Sequence, residues 1–200
     1  MTAAPDADKA AVIVLAAGRS ERFGADNKLL HPVDGTPMIR RTAEQILGAG
    51  LGDVIVVTGH DADEVERALQ GLDVRCVRNA TPWAGMGISL ATGANALRPD
   101  TEAVFVVLGD MPQLNPETLA IMLDALDPQG GHDIVVPVHD GRRGHPVLFA
   151  ARYFTQLCAL SGDTGARAIL NAHPERVDAQ PVDDPGTLLD IDTPEDLSKG

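Results

Sequence analysis

The alternation of short apolar runs with segments of helical period is the feature that most constrains this chain of 200 residues. Short β-branched runs are typical of strands at the centre of a parallel sheet. The runs predict strands at Ala11–Ala16, Asp53–Thr58, Val74–Arg78, Ala103–Leu108 and Asp133–Val138. Between them the pattern predicts helices near Met38–Gly48, Asp61–Gly71, Gly87–Leu97 and Pro116–Leu126. This βαβ alternation predicts an α/β protein with a mostly parallel sheet flanked by helices.

Length and composition bound the domain organisation. With 44% hydrophobic residues, the chain can bury one full core. We therefore expect a single domain over residues 1–200, with residues 1–9 flexible. The last third is less regular, and its pattern predicts one helix near Gly165–Ala172. At the start of the first helix, Thr36 is expected to be the N-cap and Pro37 to lie in the first turn.

The charge distribution limits the partners that this chain can have. A formal net charge of −13 argues against a nucleic-acid or membrane surface, because such partners select basic faces. No apolar run reaches membrane length, and residues 1–9 lack the apolar core of a signal peptide. Cys76 and Cys158 lack paired spacing and are expected to pack as small hydrophobes. We expect a cytoplasmic, reduced protein whose local basic residues bind a small anion.

The loop after the first strand combines small residues with cations. Small residues let backbone N–H groups approach a bound group, and Arg19, Arg22 and Lys28 add charge for phosphate oxygens. The loop is neither G-x-G-x-x-G nor G-x-x-x-x-G-K-[ST], so no dinucleotide fold or Walker loop is indicated. A solvated structural turn is the alternative. The candidate nucleotide-binding residues here are Leu15, Ala16, Ala17, Gly18, Arg19 and Ser20.

Asp110 follows another buried strand, at the edge of the sheet where ligands bind in α/β proteins. A carboxylate there is a hard oxygen ligand for Mg²⁺, which is shared with substrate phosphates. The alternative is that Asp110 caps the turn that begins at Met111-Pro112.

A second pair of carboxylates lies near the C-terminal end of the sequence, at Asp190 and Asp192. Their alternating spacing puts both on one side of an extended segment, where the two charges repel unless a cation lies between them. One or both are candidate metal ligands. Alternatively, Asp192 or Thr193 caps a helix that begins at Pro194.

The loop after the third strand is the next candidate site. Gly85 permits a tight turn, and Ser89 lies just inside a helix start, where backbone amides are donors for a base or a phosphate. Asn79, Gly85 and Ser89 are therefore candidate nucleotide-binding residues. Trp83 could stack on a base, although a single tryptophan is more often a packed anchor.

Two residues of the less regular last third are candidates for binding the acceptor substrate. His145 lies between glycine and proline after Arg142-Arg143, a context in which a histidine more often binds or orients a ligand than acts as a general base. Asp163 follows Gly162 and is expected to cap the helix near Gly165–Ala172.

Taken together, the motifs resemble the family of nucleotidyltransferases that attach a nucleotide to molybdopterin, and more narrowly molybdenum cofactor cytidylyltransferase and its close relatives. They run in the family's order across nearly the whole chain. The matching segments are Leu15-Ala16-Ala17-Gly18-x-Ser20-x-Arg22-Phe23-Gly24-x-x-x-Lys28-Leu29-Leu30, Gly85-Met86-Gly87-x-Ser89-Leu90, Leu108-Gly109-Asp110-Met111-Pro112, Gly144-His145-Pro146-Val147 and Asp190-Ile191-Asp192-Thr193-Pro194-Glu195-Asp196.

The resemblance implies a single Rossmann-like nucleotidyltransferase domain of the nucleotide-diphospho-sugar transferase type, dependence on Mg²⁺ and release of pyrophosphate. It implies that residues 15–18 hold the nucleotide, that Arg22 and Lys28 contact its phosphates, and that Asp110 binds the metal. Ala17 stands where guanylyl-transferring relatives usually have glycine, which favours CTP over GTP. The implied partners are CTP, a molybdopterin-type cofactor and a molybdenum hydroxylase that receives the product.

Two other functions stay open at this point. One keeps the fold and changes the acceptor to a sugar phosphate, a lipid precursor phosphate or another cofactor phosphate. The other is a non-catalytic molybdopterin-binding insertion chaperone or an oxidoreductase-associated protein.

Overall fold

The computed structural model describes residues 5–19, 27–189 and 191. Within these ranges the strands are β1 (Ala10–Ala16), β2 (Pro32–Val33), β3 (Thr36–Pro37), β4 (Val54–Thr58), β5 (Arg75–Arg78), β6 (Ala103–Leu108), β7 (Ile134–His139), β8 (Arg142–Arg143), β9 (Val147–Ala150) and β10 (Val177–Pro181). The α-helices are α1 (Met38–Gly48), α2 (Ala62–Ala68), α3 (Met86–Ala94), α4 (Pro116–Ala125), α5 (Phe154–Cys158) and α6 (Arg167–Ala172).

The main sheet has the strand order β10-β7-β9-β6-β1-β4-β5, and β8 pairs with β7. Strands β6, β1, β4 and β5 are parallel, as are β7 and β10, whereas β9 runs antiparallel to both β6 and β7. The mostly parallel α/β architecture that the sequence predicts is confirmed. Strand β1 lies in the middle of the parallel part, so its end and the ends of its neighbours share one edge.

The core occupies both faces of the sheet because the central strands are apolar on both sides. Val12 is fully buried and pairs with Val54 on one side and Phe105 on the other. One face packs against α1, α2 and α4, and the other packs against α3, α5 and α6. Near-continuous apolar runs are what a doubly covered parallel sheet requires.

The regular part of the chain was readable from sequence. Helix α1 and strand β6 have the predicted bounds, and the other predicted helices and strands occur with ends shifted by a few residues. The predicted capping of α1 is wrong. Thr36 and Pro37 form β3, which pairs with β2, and the N–H of Met38 donates to the carbonyl of His31 (2.9 Å). The short hairpin thus supplies the helix start with a main-chain acceptor in place of a side chain.

The last third departs from simple alternation. Antiparallel β9 is inserted between β6 and β7, and β10 adds an outer strand parallel to β7. Helix α6 begins at Arg167 with Ala166 at its N-cap position, so the prediction that Asp163 caps it is wrong. The turn through residues 163–166 separates Asp163 from the first helical residue.

A short 3₁₀ segment, Pro185–Leu188, ties the last third to the middle of the chain. Buried Asp184 accepts hydrogen bonds from the Asn115 N–H (3.0 Å), the Thr118 hydroxyl (2.7 Å) and the Gly186 N–H (2.9 Å). Its carboxylate therefore joins the start of α4 to this segment. None of the helices in the described ranges is long and apolar enough to cross a membrane.

Candidate active site at the carboxyl edge of the sheet

The loops after β1, β4, β5 and β6 converge at the carboxyl edge of the sheet. The N–H of Gly109 donates to the carbonyl of Leu15 (3.0 Å), which joins the loop after β6 to the last residues of strand β1 at this edge. A Cβ at Gly59 would lie 2.7 Å from the Cβ of Pro82 and 2.8 Å from that of Ala17. Only glycine lets three of these loops meet so closely at this point.

Lys28 and Asp110 form an ion pair at this edge of the sheet. The Nζ of Lys28 lies 2.5 Å from the Oδ2 of Asp110, and the two side chains are only 15% and 11% exposed. A pair so shielded from water interacts more strongly than a surface pair. The structure thus brings together two residues that sequence reasoning placed at one site.

The second carboxylate oxygen of Asp110 is an unsatisfied acceptor within the described part of the chain. Among the described residues, Oδ1 is buried and accepts no hydrogen bond. The alternative that Asp110 caps the turn at Met111-Pro112 is not realised among the described residues, because Oδ2 pairs with Lys28 and Oδ1 accepts no backbone N–H. A buried acceptor in this state is costly unless a ligand, ion or water completes it.

The position of Lys28 depends on a residue that sequence reasoning missed. Asn27 is buried, its Oδ1 accepts a hydrogen bond from the Leu29 N–H (3.0 Å), and its Nδ2 donates to Asp61 (3.3 Å). This capping fixes the 3₁₀ turn Lys28–Leu30 against the loop after β4. An asparagine directly before the lysine was the signal in the sequence.

The first loop follows the predicted pattern as far as it is described. Ala16 and Ala17 are buried, and Gly18 and Arg19 are exposed. Among the residues that the structure describes, none has an atom within 4 Å of where a Cβ at Gly18 would be. Within the described ranges, Arg19 makes no ion pair. Ser20 and Arg22 lie outside the described residues.

The predicted residues of the β5–α3 loop form a connected unit. The Asn79 side chain is buried, donates to the Ser89 hydroxyl (3.0 Å) and accepts from the Thr81 N–H (2.9 Å). Gly85 has φ of +108°, and its backbone lies directly against that of Gly162. The neighbouring amide of Gly87 donates to the Gly162 carbonyl (2.7 Å), so this donor at the helix start is already used.

Trp83 is not the packed anchor that a single tryptophan more often is. It lies in the 3₁₀ segment Pro82–Ala84, and 68% of its surface is exposed. Met86, three residues on, is also half exposed.

The two predicted acceptor-binding residues lie on different loops of the last third. The N–H of His145 donates to the carbonyl of Thr187 (2.8 Å), and His145 is half-buried with a cis peptide bond to Pro146. Asp163 is exposed, and its Oδ1 lies 2.7 Å from where a Cβ of Gly85 would be. Asp163 therefore lies beside the β5–α3 loop.

The segment that holds the second carboxylate pair reaches the site through its backbone. The N–H of Ile191 donates to the carbonyl of Asp110 (3.3 Å), and Ile191 is buried. Asp190 and Asp192, the neighbours of Ile191 in sequence, lie outside the described residues. Within the described ranges, no group of three or more histidine, cysteine or acidic side chains is placed to hold a metal ion.

The structure shifts the pKa values of one carboxylate and two thiols, for which we assign no catalytic role. A hydrogen bond from Arg78 lowers the pKa of Glu66, which also accepts from the Thr58 hydroxyl at the end of β4. Burial raises the pKa of the Cys76 and Cys158 thiols, which keeps both protonated. Both cysteines pack against the core, as expected, although neither is fully buried.

The flanked parallel sheet, with a small-residue loop, a lysine and a buried carboxylate at its carboxyl edge, defines a nucleotide-binding α/β protein. Residues 12–177 match the family model of the MobA-like NTP transferase domain, and the chain belongs to this family. The predicted resemblance is therefore confirmed at the level of the family.

Proteins with similar sequences have names that refer to different activities. The nicotine blue oxidoreductase of Paenarthrobacter nicotinovorans is 31% identical over 190 residues, which cover 92% of this chain and 93% of that protein. The bifunctional protein GlmU of Geobacter metallireducens is 35% identical over 116 residues, or 58% of this chain. The match spans 24% of that GlmU, so the chain corresponds to about a quarter of its length.

Solved structures with similar sequences share this fold over nearly the whole chain. A nucleotidyl transferase from Methanothermobacter thermautotroptrophicus superposes with a TM-score of 0.82 at 28% identity, covering 95% of this chain and 94% of that one. Rv0371C of Mycobacterium tuberculosis H37Rv was solved in complex with manganese. It superposes with a TM-score of 0.79 at 28% identity, and the match covers 95% of this chain and 96% of that one.

Proposed function

We propose that this chain transfers a nucleotidyl group from a nucleoside triphosphate, with CTP preferred, to the phosphate of a molybdopterin-type cofactor and releases pyrophosphate. The observation that carries the proposal is the shielded pair of Lys28 and Asp110 beside the small-residue loop after β1. A cation and a carboxylate at this edge suit a ligand that brings both phosphates and a divalent ion.

The donor set fits Mg²⁺. Asp110 offers a buried oxygen without a hydrogen bond among the described residues, and Mg²⁺ is usually held by one or two carboxylates together with substrate phosphates and water. We propose Asp190 or Asp192 as the second carboxylate, because Ile191 between them bonds to Asp110. When bound, the ion would neutralise charge on the reacting phosphates. Rv0371C was solved in complex with manganese, which supports the use of a divalent ion by this chain.

The residues of the chain position and neutralise the reactants. An oxygen of the acceptor phosphate attacks the α-phosphorus in line, the bond from that phosphorus to the β-phosphate oxygen breaks, and pyrophosphate leaves with the electron pair. Lys28, Arg19 and Arg22 take up the charge of the triphosphate and of the departing pyrophosphate. No protein nucleophile is needed, since phosphoryl transfer depends mainly on positioning and electrostatics.

The remaining predicted residues contact the nucleotide and the acceptor. Residues 15–20 hold the nucleotide, together with Asn79, Gly85 and Ser89, while His145 and Asp163 lie on loops available to the acceptor. The methyl group of Ala17 lies against Gly59, so it helps to set the width of the pocket between these loops. A single methyl group is worth only about 1–3 kcal/mol of discrimination, which favours CTP over GTP without excluding GTP.

The test is pyrophosphate release by the purified chain with Mg²⁺ and each of CTP, GTP, ATP and UTP. Acceptors are molybdenum-loaded molybdopterin and a panel of sugar and cofactor phosphates. We expect the highest turnover with CTP and the molybdopterin cofactor, and transfer of the product to a molybdenum hydroxylase. Turnover with a sugar phosphate alone would keep the transferase and change the acceptor. Cofactor binding without pyrophosphate from any nucleotide would indicate an insertion chaperone.

The nicotine blue oxidoreductase relative favours a second candidate, a redox activity on a conjugated heterocycle. It is tested by following the absorbance of nicotine blue in the presence of the chain and a reduced nicotinamide dinucleotide. A change in absorbance that needs the protein, with no pyrophosphate formed from any triphosphate, would replace the transferase proposal for this chain.

A further inference from the structure

Trp83 exposes more of its side chain than a buried anchor would. Its surface is 68% exposed and that of neighbouring Met86 is 50% exposed, so a large apolar area faces solvent at the end of β5. Aromatic rings exposed on a loop next to a site are costly to hydrate and are typical of surfaces that bind a ligand.

The loop that carries Trp83 is fixed on both sides. Before it, Pro82 packs against the loops at Gly59 and Ala17, where an added Cβ at Gly59 would be 2.7 Å from the proline ring. After it, the Gly87 amide donates to the Gly162 carbonyl at 2.7 Å. The exposure of Trp83 therefore belongs to an anchored loop and not to a loosely held one.

The strand order places this ring relative to the phosphate end of the site. Strands β6, β1, β4 and β5 are consecutive neighbours, so the loops with Asp110, Ala17, Gly59 and Trp83 follow one another along the edge. Adjacent strands are about 4.8 Å apart, which puts β5 roughly 10 Å from β1. A base attached to phosphates at β1 and β6 can therefore reach Trp83 along the loops after β4 and β5.

We propose that Trp83 is a stacking platform for the planar heteroaromatic ring of a ligand bound at this edge, and that this ring is the base of the nucleoside triphosphate. The inference rests on the proposed function. An indole face stacks on every base, so it adds affinity without choosing between bases. Trp83 thus supplies nucleotide affinity, while the loop around Ala17 supplies the choice of base.

The first experiment uses the fact that Trp83 is the single tryptophan of the chain. CTP, inorganic triphosphate and the molybdopterin cofactor are each titrated with Mg²⁺ while tryptophan emission and calorimetric binding are recorded. We expect CTP to quench the emission and triphosphate to bind without quenching. Quenching by the cofactor alone would overturn the assignment to the base. Nucleotide binding with unchanged emission would overturn the inference but leave the proposed function standing.

The second experiment compares variants in steady-state kinetics. Trp83→Ala is expected to raise KM for CTP and for GTP by the same factor, about 5- to 50-fold, with little change in kcat. Trp83→Phe should restore most of the affinity, and Ile121→Ala, which removes another exposed apolar side chain on α4, should change nothing. A changed CTP/GTP ratio, an unchanged KM, or emission that varies with protein concentration alone would each contradict the proposal. Absence of turnover in the wild type would instead count against the proposed function.

Discussion

Lys28 and Asp110 are 82 residues apart in sequence, and their charged groups approach to 2.5 Å. The lysine lies in a short turn after the first loop, and the aspartate lies two residues beyond the end of β6. Because both side chains are largely shielded, each compensates the charge of the other in the absence of ligand. A nucleotide and its divalent ion would compete with this pair, since phosphate oxygens attract the lysine and the ion attracts the carboxylate.

Lys28→Ala is expected to lower turnover by orders of magnitude while the fold survives, because the charge that neutralises the phosphates is removed. Removing one partner of a shielded pair also costs stability, about 3 kcal/mol by analogy with buried pairs. Initial rates of pyrophosphate release and circular dichroism measure the two effects. Lys28→Arg keeps the charge and should retain more activity than alanine. A folded Lys28→Ala protein with near-normal rates would remove Lys28 from the mechanism.

Asp110→Asn tests the metal ligand. The amide has nearly the same shape but lacks the negative charge that a divalent cation requires, so the Mg²⁺ concentration for half-maximal activity should rise at least about tenfold. Thermal stabilisation by CTP plus Mg²⁺ should fall in parallel, whereas stabilisation by CTP alone should not. Equal Mg²⁺ dependence in both proteins would assign the ion to other ligands.

The parts of this molecule that follow local rules were predictable from sequence. Apolar runs of fixed period specify β1, β6 and α1, because burial of both sheet faces leaves little freedom of register. The inserted strand β9 and the outer strand β10 were missed, since their pairing depends on long-range contacts that no local pattern records. The same holds for Asp184, whose partners Asn115 and Thr118 are distant in sequence.

The candidate site also has a part that could be predicted from the sequence and a part that could not. Lys28 and Asp110 were predicted as site residues from loop chemistry, and topology explains their meeting, because strands β1 and β6 are parallel neighbours. The support of Lys28 by Asn27 and Asp61 was not predicted, because it needs the loop after β4 to return to the first loop. The roles of all the candidate site residues stay predictions, and Arg22, Asp190 and Asp192 lie outside the described residues.

Asp184→Ala should reduce the free energy of unfolding by about 3 kcal/mol, because it leaves two backbone N–H groups and the Thr118 hydroxyl without their acceptor in a buried place. Denaturant titration measures the change. Asp183→Ala is the matched control. The side chain of Asp183 is exposed, so its removal should reduce the free energy of unfolding by less than about 0.5 kcal/mol. Equal losses in the two variants would contradict the structural role of Asp184.

The Glu66–Arg78 pair gives a pH-dependent contribution to stability. Because the folded state lowers the pKa of Glu66 from 4.5, this contribution is present above that pH and is lost as the pH falls through the folded-state value. Arg78→Ala should therefore lower the midpoint urea concentration measurably at pH 7 and hardly at all at pH 3. Urea titrations at both pH values test this, with exposed Arg67→Ala as the control. A loss that is independent of pH would show that Glu66 does not carry the effect.

Gly59→Ala tests whether the loops after β1, β4 and β5 must touch for the nucleotide to bind. The added methyl group would come within 2.8 Å of Ala17 and 2.7 Å of Pro82, so at least one loop has to move. We expect KM for the nucleotide to rise about tenfold, since small displacements of positioning groups are costly, while thermal stability falls by a few degrees. Gly48→Ala, at the end of α1 and away from this edge, should leave KM unchanged. An unchanged KM in a folded Gly59→Ala protein would mean that the loops bind the nucleotide independently of one another.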